Sequence, residues 1–434
     1  MAKEKIVYAL FTTDIIHEGH RNILREAKKL GRVVVGVLSD REMIRYSRFP
    51  VEDEQERMKM LAAEPEVSRV LLQDSIFYDK VIQDLRPDIV IHGDNWRGGT
   101  ESAMRRNLLM NLEKYGGELV EVPYTYNPTV KRIDERQRER LQMPELRRGR
   151  LKKLLSLVPI VKTIEVTSGL TGLIAEKTVV EHEGGLDQFD AMWVSSLCDS
   201  TAKGKPDIEL VDMSSRIRTI DDVMDVTTKP LILDADTGGR IEHFVYHVHT
   251  LERMGVSAVI VEDKIGLKKN SLFGTEVKQT QDETEHFAEK IHAAKEAQRT
   301  DDFMIIARIE SLILEKGVAD ALQRAEAYTA AGADAIMIHS RKQDPTDLFA
   351  VADAFHAKHP EVPLVSVPTA YSQVTEKELA AHGFRIVIYA NQLTRSAFPA
   401  MEQTAASILR HHRAKEVDAN LMPFKDIIRL IDDI

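Results

Sequence analysis

The stretch Ala258-Val259-Ile260-Val261-Glu262-Asp263-Lys264-Ile265-Gly266-Leu267-Lys268-Lys269-Asn270-Ser271 sets a short apolar run against a charged, lysine-bearing segment. Four apolar residues are too few for a helix and suit a strand buried on both faces, as in a parallel sheet. The same design recurs on either side. Apolar runs lie at Thr163–Val166, Ala191–Val194, Leu231–Leu233, Ala258–Val261, Met304–Ala307, Ala335–Ile338, Leu364–Val367 and Ile386–Tyr389, with helical patterns between them. Eight such units in about 260 residues predict a (β/α)8 barrel, whose functional residues sit where strands end and the following loops begin. Those ends read Glu165, Ser195-Ser196, Asp234 and Asp236, Glu262, Arg308 and Glu310, His339-Ser340, Thr369 and Asn391.

Upstream, Ile6–Phe11, Arg32–Leu38, Ser68–Leu72 and Asp88–His92 read as strands, and Arg21–Leu30 as a helix stopped by Gly31. Alternating strand and helix predict a Rossmann-like parallel sheet. Between the two regions, residues 131–153 carry ten Lys/Arg against four Asp/Glu. Charge this dense reads as an exposed linker helix or hinge. The expected division is 1–133, a linker at 134–150, the barrel at 151–410 and a tail at 411–434.

The 434 residues carry a formal net charge of −10, which argues against nucleic acid as a partner. Cys198 is the single cysteine, so no intrachain disulfide can form and a reducing compartment is expected. The amino terminus lacks a signal-peptide pattern and no apolar run is long enough to span a membrane. A cytoplasmic enzyme is the expectation.

Asp234, Asp236 and Glu262 end neighbouring strands, and several carboxylate oxygens there suit Mg2+, a cation that takes hard oxygen ligands. Gly238-Gly239 permits close backbone approach. From Glu262 to Arg308 the chain runs 46 residues, against about thirty for an average unit of such a barrel. The excess opens with the lysines and amide of 264–271, a composition that suits a mobile lid over an anion.

Here the residues resemble a family. Glu262–Ser271 matches the EDKxxxKxNS signature of phosphoenolpyruvate mutases, within the isocitrate lyase superfamily. Glu165–Leu170 resembles its EAHNGL, with His and Asn replaced. Trp193–Leu197 resembles WGSGL, Leu233–Gly238 VDGDTG, Ala307–Glu310 ARTE, Gly332–Ser340 GADAILIHS and Val367–Thr369 VPT. The resemblance implies Asp234 as principal Mg2+ ligand, with Asp236 and Glu262 acting partly through water. It implies that Ser195, Ser196 and Leu197 bind the pyruvyl oxygens, that Asp207 lies near the metal-bound waters, and that Arg308 and His339 bind the phosphoryl group. Lys268, Asn270 and Ser271 would close over it, with Asn270 central to transfer. Superfamily lyases use a KxCGH loop, absent here, so Cys198 reads as a core or loop residue. A phosphonopyruvate hydrolase is the nearer rival, and the complete KxNS favours the mutase. Relatives of the barrel are often tetramers with exchanged C-terminal helices, a part that Glu402–Arg413 could play.

In the first region, Thr13-Asp14-Ile15-Ile16-His17-Glu18-Gly19-His20 lies between a strand and a helix, where imidazoles can meet a nucleotide phosphate. It resembles the HxGH motif of cytidylyltransferases. His92–Trp96 resembles that family's MGDDW, and Pro50–Leu61 its ExR helix, with Arg57 as the matched arginine. The resemblance implies that His17, His20, Asp14, Arg57, Thr125 and Thr129 bind CTP. Departures are Phe11 and Thr13, and the segment Tyr124–Val130, where only Thr125 and Thr129 match the family's RTEGISST. Fused mutase–cytidylyltransferases occur in phosphonate pathways, including that of the antibiotic fosfomycin. The implied reaction joins CMP from CTP to a phosphonate such as 2-hydroxyethylphosphonate or 2-aminoethylphosphonate.

Overall fold

The computed structural model describes residues 4–45, 49–97, 102–123, 136, 138–182 and 185–431. Its first region holds β1 (Ile6–Phe11), β2 (Arg32–Leu38), β3 (Val67–Gln73), β4 (Ile89–Gly93) and β5 (Glu118–Val122). They form one parallel sheet in the order β3-β2-β1-β4-β5. The chain reverses its winding between β1 and β4, and ligands of such sheets bind in the crevice beyond the strand ends at that point. The four strands expected from apolar runs are present. The fifth, Glu118–Val122, has two glutamates among five residues and escaped a reading based on apolar runs.

The barrel is closed and built from β6 (Val161–Val166), β9 (Ala191–Val194), β10 (Leu231–Asp234), β11 (Ala258–Glu262), β14 (Met304–Ile309), β15 (Ala335–Ile338), β16 (Leu364–Ser366) and β17 (Phe384–Tyr389). The numbers skipped are two small additions. β7 (Val179–His182) pairs with β8 (Gly185–Gln188), and β12 (Lys264–Ile265) pairs with β13 (Thr280–Gln281). Every apolar run quoted above is a barrel strand.

Strand side chains alternate between two faces. Val259 and Val261 pack outward against the helices, in a cluster with Phe244, Phe287 and Ile291. Ala258 and Ile260 face the barrel interior with Trp193, Ile232, Ile306 and Met337. Continuing the inward series by two residues reaches Glu262 from Ile260, Asp234 from Ile232, Arg308 from Ile306, His339 from Met337 and Ser195 from Trp193. The period of the strand therefore delivers the polar strand ends to one mouth.

In the charged segment residues 138–140 are exposed, as expected, but the second half departs from expectation. The helix Pro144–Leu157 lies across the opposite end of the barrel, with Leu151 and Leu154 plugging the interior. Arg147, Arg148 and Arg150 are buried, not solvated. Arg148 donates to Glu252 O at 3.0 Å, Arg147 to Met224 O at 3.1 Å and to Thr227 O, and Arg150 to Thr228 O. Met224 ends one helix and Glu252 lies in the last turn of another, where the Gly255 amide also donates to it at 3.1 Å, so Arg147 and Arg148 cap the carbonyl ends of neighbouring helices. Composition alone cannot tell a solvated cation from one that caps a neighbouring helix.

The first domain rests on the same end. Ile44 joins the interior cluster, Gln188 donates to Ile44 O at 3.3 Å, Lys153 donates to Pro50 O at 3.1 Å, and Arg150 lies 4.0 Å over the Phe49 ring. The helix Gln392–His411 starts ahead of the expected Glu402–Arg413, ends two residues short of it, and carries no buried residue. Among the described residues no helix is long and apolar enough to cross a membrane.

Candidate functional site

At the mouth a cavity of about 50 Å³ is lined by Ser195, Ser196, Leu197, Asp207, Asp234, Lys268, Asn270, Ser271, Arg308 and His339, with Thr369 and Asn391 beside them. The lid segment is folded down onto it. Lys268 is buried, and its ammonium donates to Ser196 Oγ at 2.6 Å, to Asp207 Oδ1 at 2.9 Å and to Asp236. Asn270 Nδ2 donates to Asp207 Oδ2 at 2.8 Å. Ser271 Oγ donates to Glu310 Oε2 at 2.5 Å and accepts from Arg308 Nη2 at 2.6 Å. Three lid residues thus grip three different barrel loops.

Behind them lies a dense charge network. Arg308 pairs with Glu262 at 3.1 Å and with Glu310 at 2.6 Å, while Lys264 lies 3.3 Å from Glu262 and 3.4 Å from Glu310. His339 Nδ1 sits 2.9 Å from both Arg308 Nη2 and Glu310 Oε1. Burial pushes the Asp234 carboxyl up, but Lys268, Arg308 and Arg216 outweigh it and hold Asp234 below the usual carboxylate range. Burial pushes Glu262 up to about 7 despite Arg308 and Lys264. The His339 imidazole is held low by burial and by Arg308, which keeps it neutral.

The geometry at Asp236 is strained. Its φ is +55°, a left-handed conformation that Asp tolerates better than most residues. Asp236 also accepts from Arg216 Nη2 at 2.6 Å. Two residues on, Gly238 has φ +73°, and a Cβ there would lie 2.9 Å from Val261. Strain of this kind persists where the surroundings over-determine it.

As a test for a divalent cation, the donor set is all oxygen, the chemistry Mg2+ takes. Both Glu262 oxygens are buried without an aligned hydrogen bond, each facing one cation, Arg308 at 3.1 Å or Lys264 at 3.3 Å. Among the described residues no three His, Cys, Asp or Glu side chains converge closely enough to hold a metal. Asp234, Asp236 and Glu262 therefore do not form a ready three-carboxylate cage, and water would carry part of any coordination.

Arg216 and Lys264 went unremarked as site residues in the sequence. Arg216 comes from the first turn of the helix Met213–Met224 and reaches the mouth from the side, with no strand end to signal it. Asp263 is structural. It accepts from Arg324, Tyr328, Gln281 and the Glu310 amide, and burial lifts it to about 7. Cys198 is buried against Ala390 O at 3.3 Å, its thiol pushed up to about 11 by burial.

A second cleft, of about 660 Å³, opens at the switch point of the first domain. His17 caps the helix Glu18–Leu30. Its Nδ1 accepts from Gly19 N at 3.1 Å, and the His20 ring stacks on it at 3.7 Å. An imidazole that accepts at Nδ1 carries its proton on Nε2, a donor suited to a phosphate oxygen. A Cβ on Gly19 would come within 2.9 Å of His17, so glycine is what lets the two rings lie together. His92, stacked on Trp96 at 3.6 Å, lines the same cleft. Asp14 lines it too, accepting from Val51 N and Glu52 N at 3.2 Å each. Arg57 is fully buried behind the cleft wall, 3.8 Å from Asp14, and donates to Leu38 O at 2.8 Å and to Asp40 at 2.6 Å, so it braces the domain and does not itself line the cleft. Thr125 and Thr129 lie outside the described residues.

The C-terminal fold and mouth define an α/β barrel that gathers buried cations beside buried carboxylates at one end of its strands. The family model described as phosphoenolpyruvate phosphomutase matches residues 160–409, and the cytidylyltransferase-like model matches residues 12–133. The phosphonopyruvate hydrolase of Variovorax sp. (strain Pal2) is 38% identical over 265 residues, 61% of this chain and 90% of that protein. The phosphoenolpyruvate phosphomutase of Streptomyces hygroscopicus is 34% identical over 286 residues, 65% of this chain and 87% of that protein. Among solved structures, the phosphoenolpyruvate phosphomutase of Streptomyces platensis subsp. rosaceus aligns with a TM-score of 0.59 at 33% identity, covering 65% of this chain and 93% of that one. A phosphonopyruvate hydrolase complexed with oxalate and Mg++ aligns with a TM-score of 0.58 at 35% identity, covering 65% and 94%. The chain belongs to the phosphoenolpyruvate phosphomutase family and carries an N-terminal cytidylyltransferase-like domain.

Proposed function

We propose that the barrel interconverts phosphoenolpyruvate and phosphonopyruvate, and that the first domain transfers CMP from CTP to a phosphonate. The observation that carries the first half is the meeting of Lys268, Asn270 and Ser271 with Arg308 and His339 around one small cavity. In this reaction the phosphoryl group leaves the enol oxygen and bonds to carbon three of the same pyruvyl unit. Its loose transition state asks mainly for positioning and charge stabilisation. Arg308 and neutral His339 hold the phosphoryl oxygens, and Ser195, Ser196 and Leu197 orient the pyruvyl unit. Asn270, anchored on Asp207, lines the transfer path with an uncharged amide that does not repel the migrating group. Mg2+, held at Asp234 with Asp236 and Glu262 beyond, would supply positive charge for the pyruvyl enolate oxygen.

A substrate of about ten non-hydrogen atoms exceeds a cavity of one or two waters' share of volume. The lid therefore opens to admit it and closes to exclude water, which would otherwise capture the phosphoryl group. A hydrolase is the second reading, favoured by the 38% identity to the Variovorax enzyme. Phosphorus NMR of the protein with phosphonopyruvate and Mg2+ decides between them. Phosphoenolpyruvate is the expected product, and inorganic phosphate alone would make the barrel a hydrolase.

The stacked histidines at the switch point support the CTP reading of the first domain. Pyrophosphate release from CTP with 2-hydroxyethylphosphonate or 2-aminoethylphosphonate tests it. A non-catalytic nucleotide-binding domain would release none. Exposed Phe398, Met401 and Leu409 on the helix Gln392–His411 support a homo-oligomer, a tetramer by resemblance. The enzyme would work in the cytoplasm, in phosphonate or antibiotic biosynthesis.

A further inference from the structure

The cleft beside His17 and His20 has a second wall, and that wall belongs to the barrel. Across from the first domain's strand ends stand Lys229, Thr228, Asp190 and Glu176 from the barrel's closed end, with Arg150 from the connecting helix. Lys229 is 6% exposed. Among the described residues its ammonium makes one hydrogen bond, to Ala175 O at 2.8 Å, out of the three an ammonium can donate. Arg150 is equally buried, engaged at Thr228 O and stacked on Phe49, and its Nε has no hydrogen-bond partner. Burial lowers both cations, Lys229 to about 8 and Arg150 to about 9, as expected of charges held without full compensation. Glu176 and Asp190 are near enough to Lys229 to offset part of that effect, but neither forms an ion pair with it. Glu176 Oε1 accepts instead from Thr228 Oγ1 at 2.6 Å, and Asp190 Oδ2 from the Lys162 amide at 2.9 Å.

A buried lysine with two spare donors, at the edge of a cavity whose other wall carries the phosphate-facing histidines, is placed for an anion. We propose that the closed end of the barrel supplies the acceptor subsite of nucleotidyl transfer, with Lys229 binding the phosphonate group of the acceptor. The inference rests on the CMP-transfer reading of the first domain. In that step a phosphonate oxygen forms a bond to the α-phosphorus of CTP. The bond from that phosphorus to the bridging oxygen breaks, and its electron pair leaves with pyrophosphate. Lys229 neutralises and orients the attacking dianion, while the histidines attend the triphosphate. The transferase site is thus complete only when both domains are present, and its acceptor lysine lies five residues before Asp234 on the segment that forms β10.

Two measurements on the full chain test this. In the wild-type protein, reductive methylation of lysines is mapped by mass spectrometry with and without methylphosphonate, in the presence of CTP. Methylphosphonate is expected to protect Lys229, and unchanged labelling of Lys229 overturns the proposal. In Lys229→Met, losing a charged hydrogen bond should raise KM for the phosphonate about tenfold or more while KM for CTP stays within about twofold. Lys229→Arg should restore part of the loss. An unaltered acceptor KM in folded Lys229→Met overturns the proposal. If the wild-type protein releases no pyrophosphate with any phosphonate, the transfer reading falls, and protection of Lys229 still decides whether the subsite binds the anion.

Discussion

The two ends of the barrel solve opposite problems. The mouth is small and crowded with buried charge, where Arg308, Lys264 and Lys268 are matched against Asp207, Asp236, Glu262 and Glu310. The far end is a wide cleft between two domains in which Lys229 and Arg150 are only partly satisfied. A rearrangement within one pyruvyl unit needs enclosure, since a stray water would end it. A reaction that joins two molecules and releases a third needs room.

The sharpest way to break this contrast is to remove the centre of the mouth's network. Arg308→Met leaves Glu262 and Glu310 buried without their main partner, which should cost about 3–5 kcal/mol of stability by urea unfolding, together with all barrel activity. A stability near that of wild type would mean that the charges at the mouth are not mutually compensated. Asn270→Ala tests chemistry apart from folding. Loss of a positioned amide should lower kcat on the order of 10²–10³-fold in a phosphorus NMR assay, with the unfolding midpoint unmoved. Full activity would refute the role given to Asn270.

At the far end the effects should be smaller. Burial raises Asp190 to about 6, above the value an unfolded aspartate takes. The folded state then binds the extra proton, so ionising Asp190 penalises folding above about pH 6 and the penalty fades as pH falls toward 4. Asp190→Asn keeps an acceptor for the Lys162 amide. It should gain on the order of 2 kcal/mol at pH 7.5 relative to wild type and lose that gain near pH 4, read from unfolding midpoints across pH. A gain independent of pH would place the effect elsewhere. Finally, His17→Ala removes a helix cap and should cost about 1 kcal/mol. It should also weaken CTP binding measured by calorimetry, and CTP binding of wild-type strength would remove His17 from the nucleotide site.

The mouth was legible in the sequence because its residues sit on strands. Period-two alternation sends Glu262, Asp234, Arg308 and His339 inward wherever Ile260, Ile232, Ile306 and Met337 point inward, so apolar runs and the residues after them specify the site together. Arg216 was not legible, because a helix residue that leans over a strand end leaves no mark in the pattern. Arg57 matched a motif yet is buried behind the cleft wall on Leu38 O and Asp40, since a matching residue type does not reveal which way a guanidinium turns.

The sequence by itself determined the eight barrel strands, the parallel sheet before them, and the polar ends that meet at the mouth. Those follow from local periodicity and from which residues water rejects. Only the tertiary structure decided that the charged helix 144–157 turns Arg147, Arg148, Arg150, Leu151 and Leu154 inward as a plug, and that the first domain sits on the barrel's closed end with Lys229 in its cleft. These outcomes turn on which carbonyls and which domain a cation meets across a hundred residues of chain, a relation that no local pattern encodes.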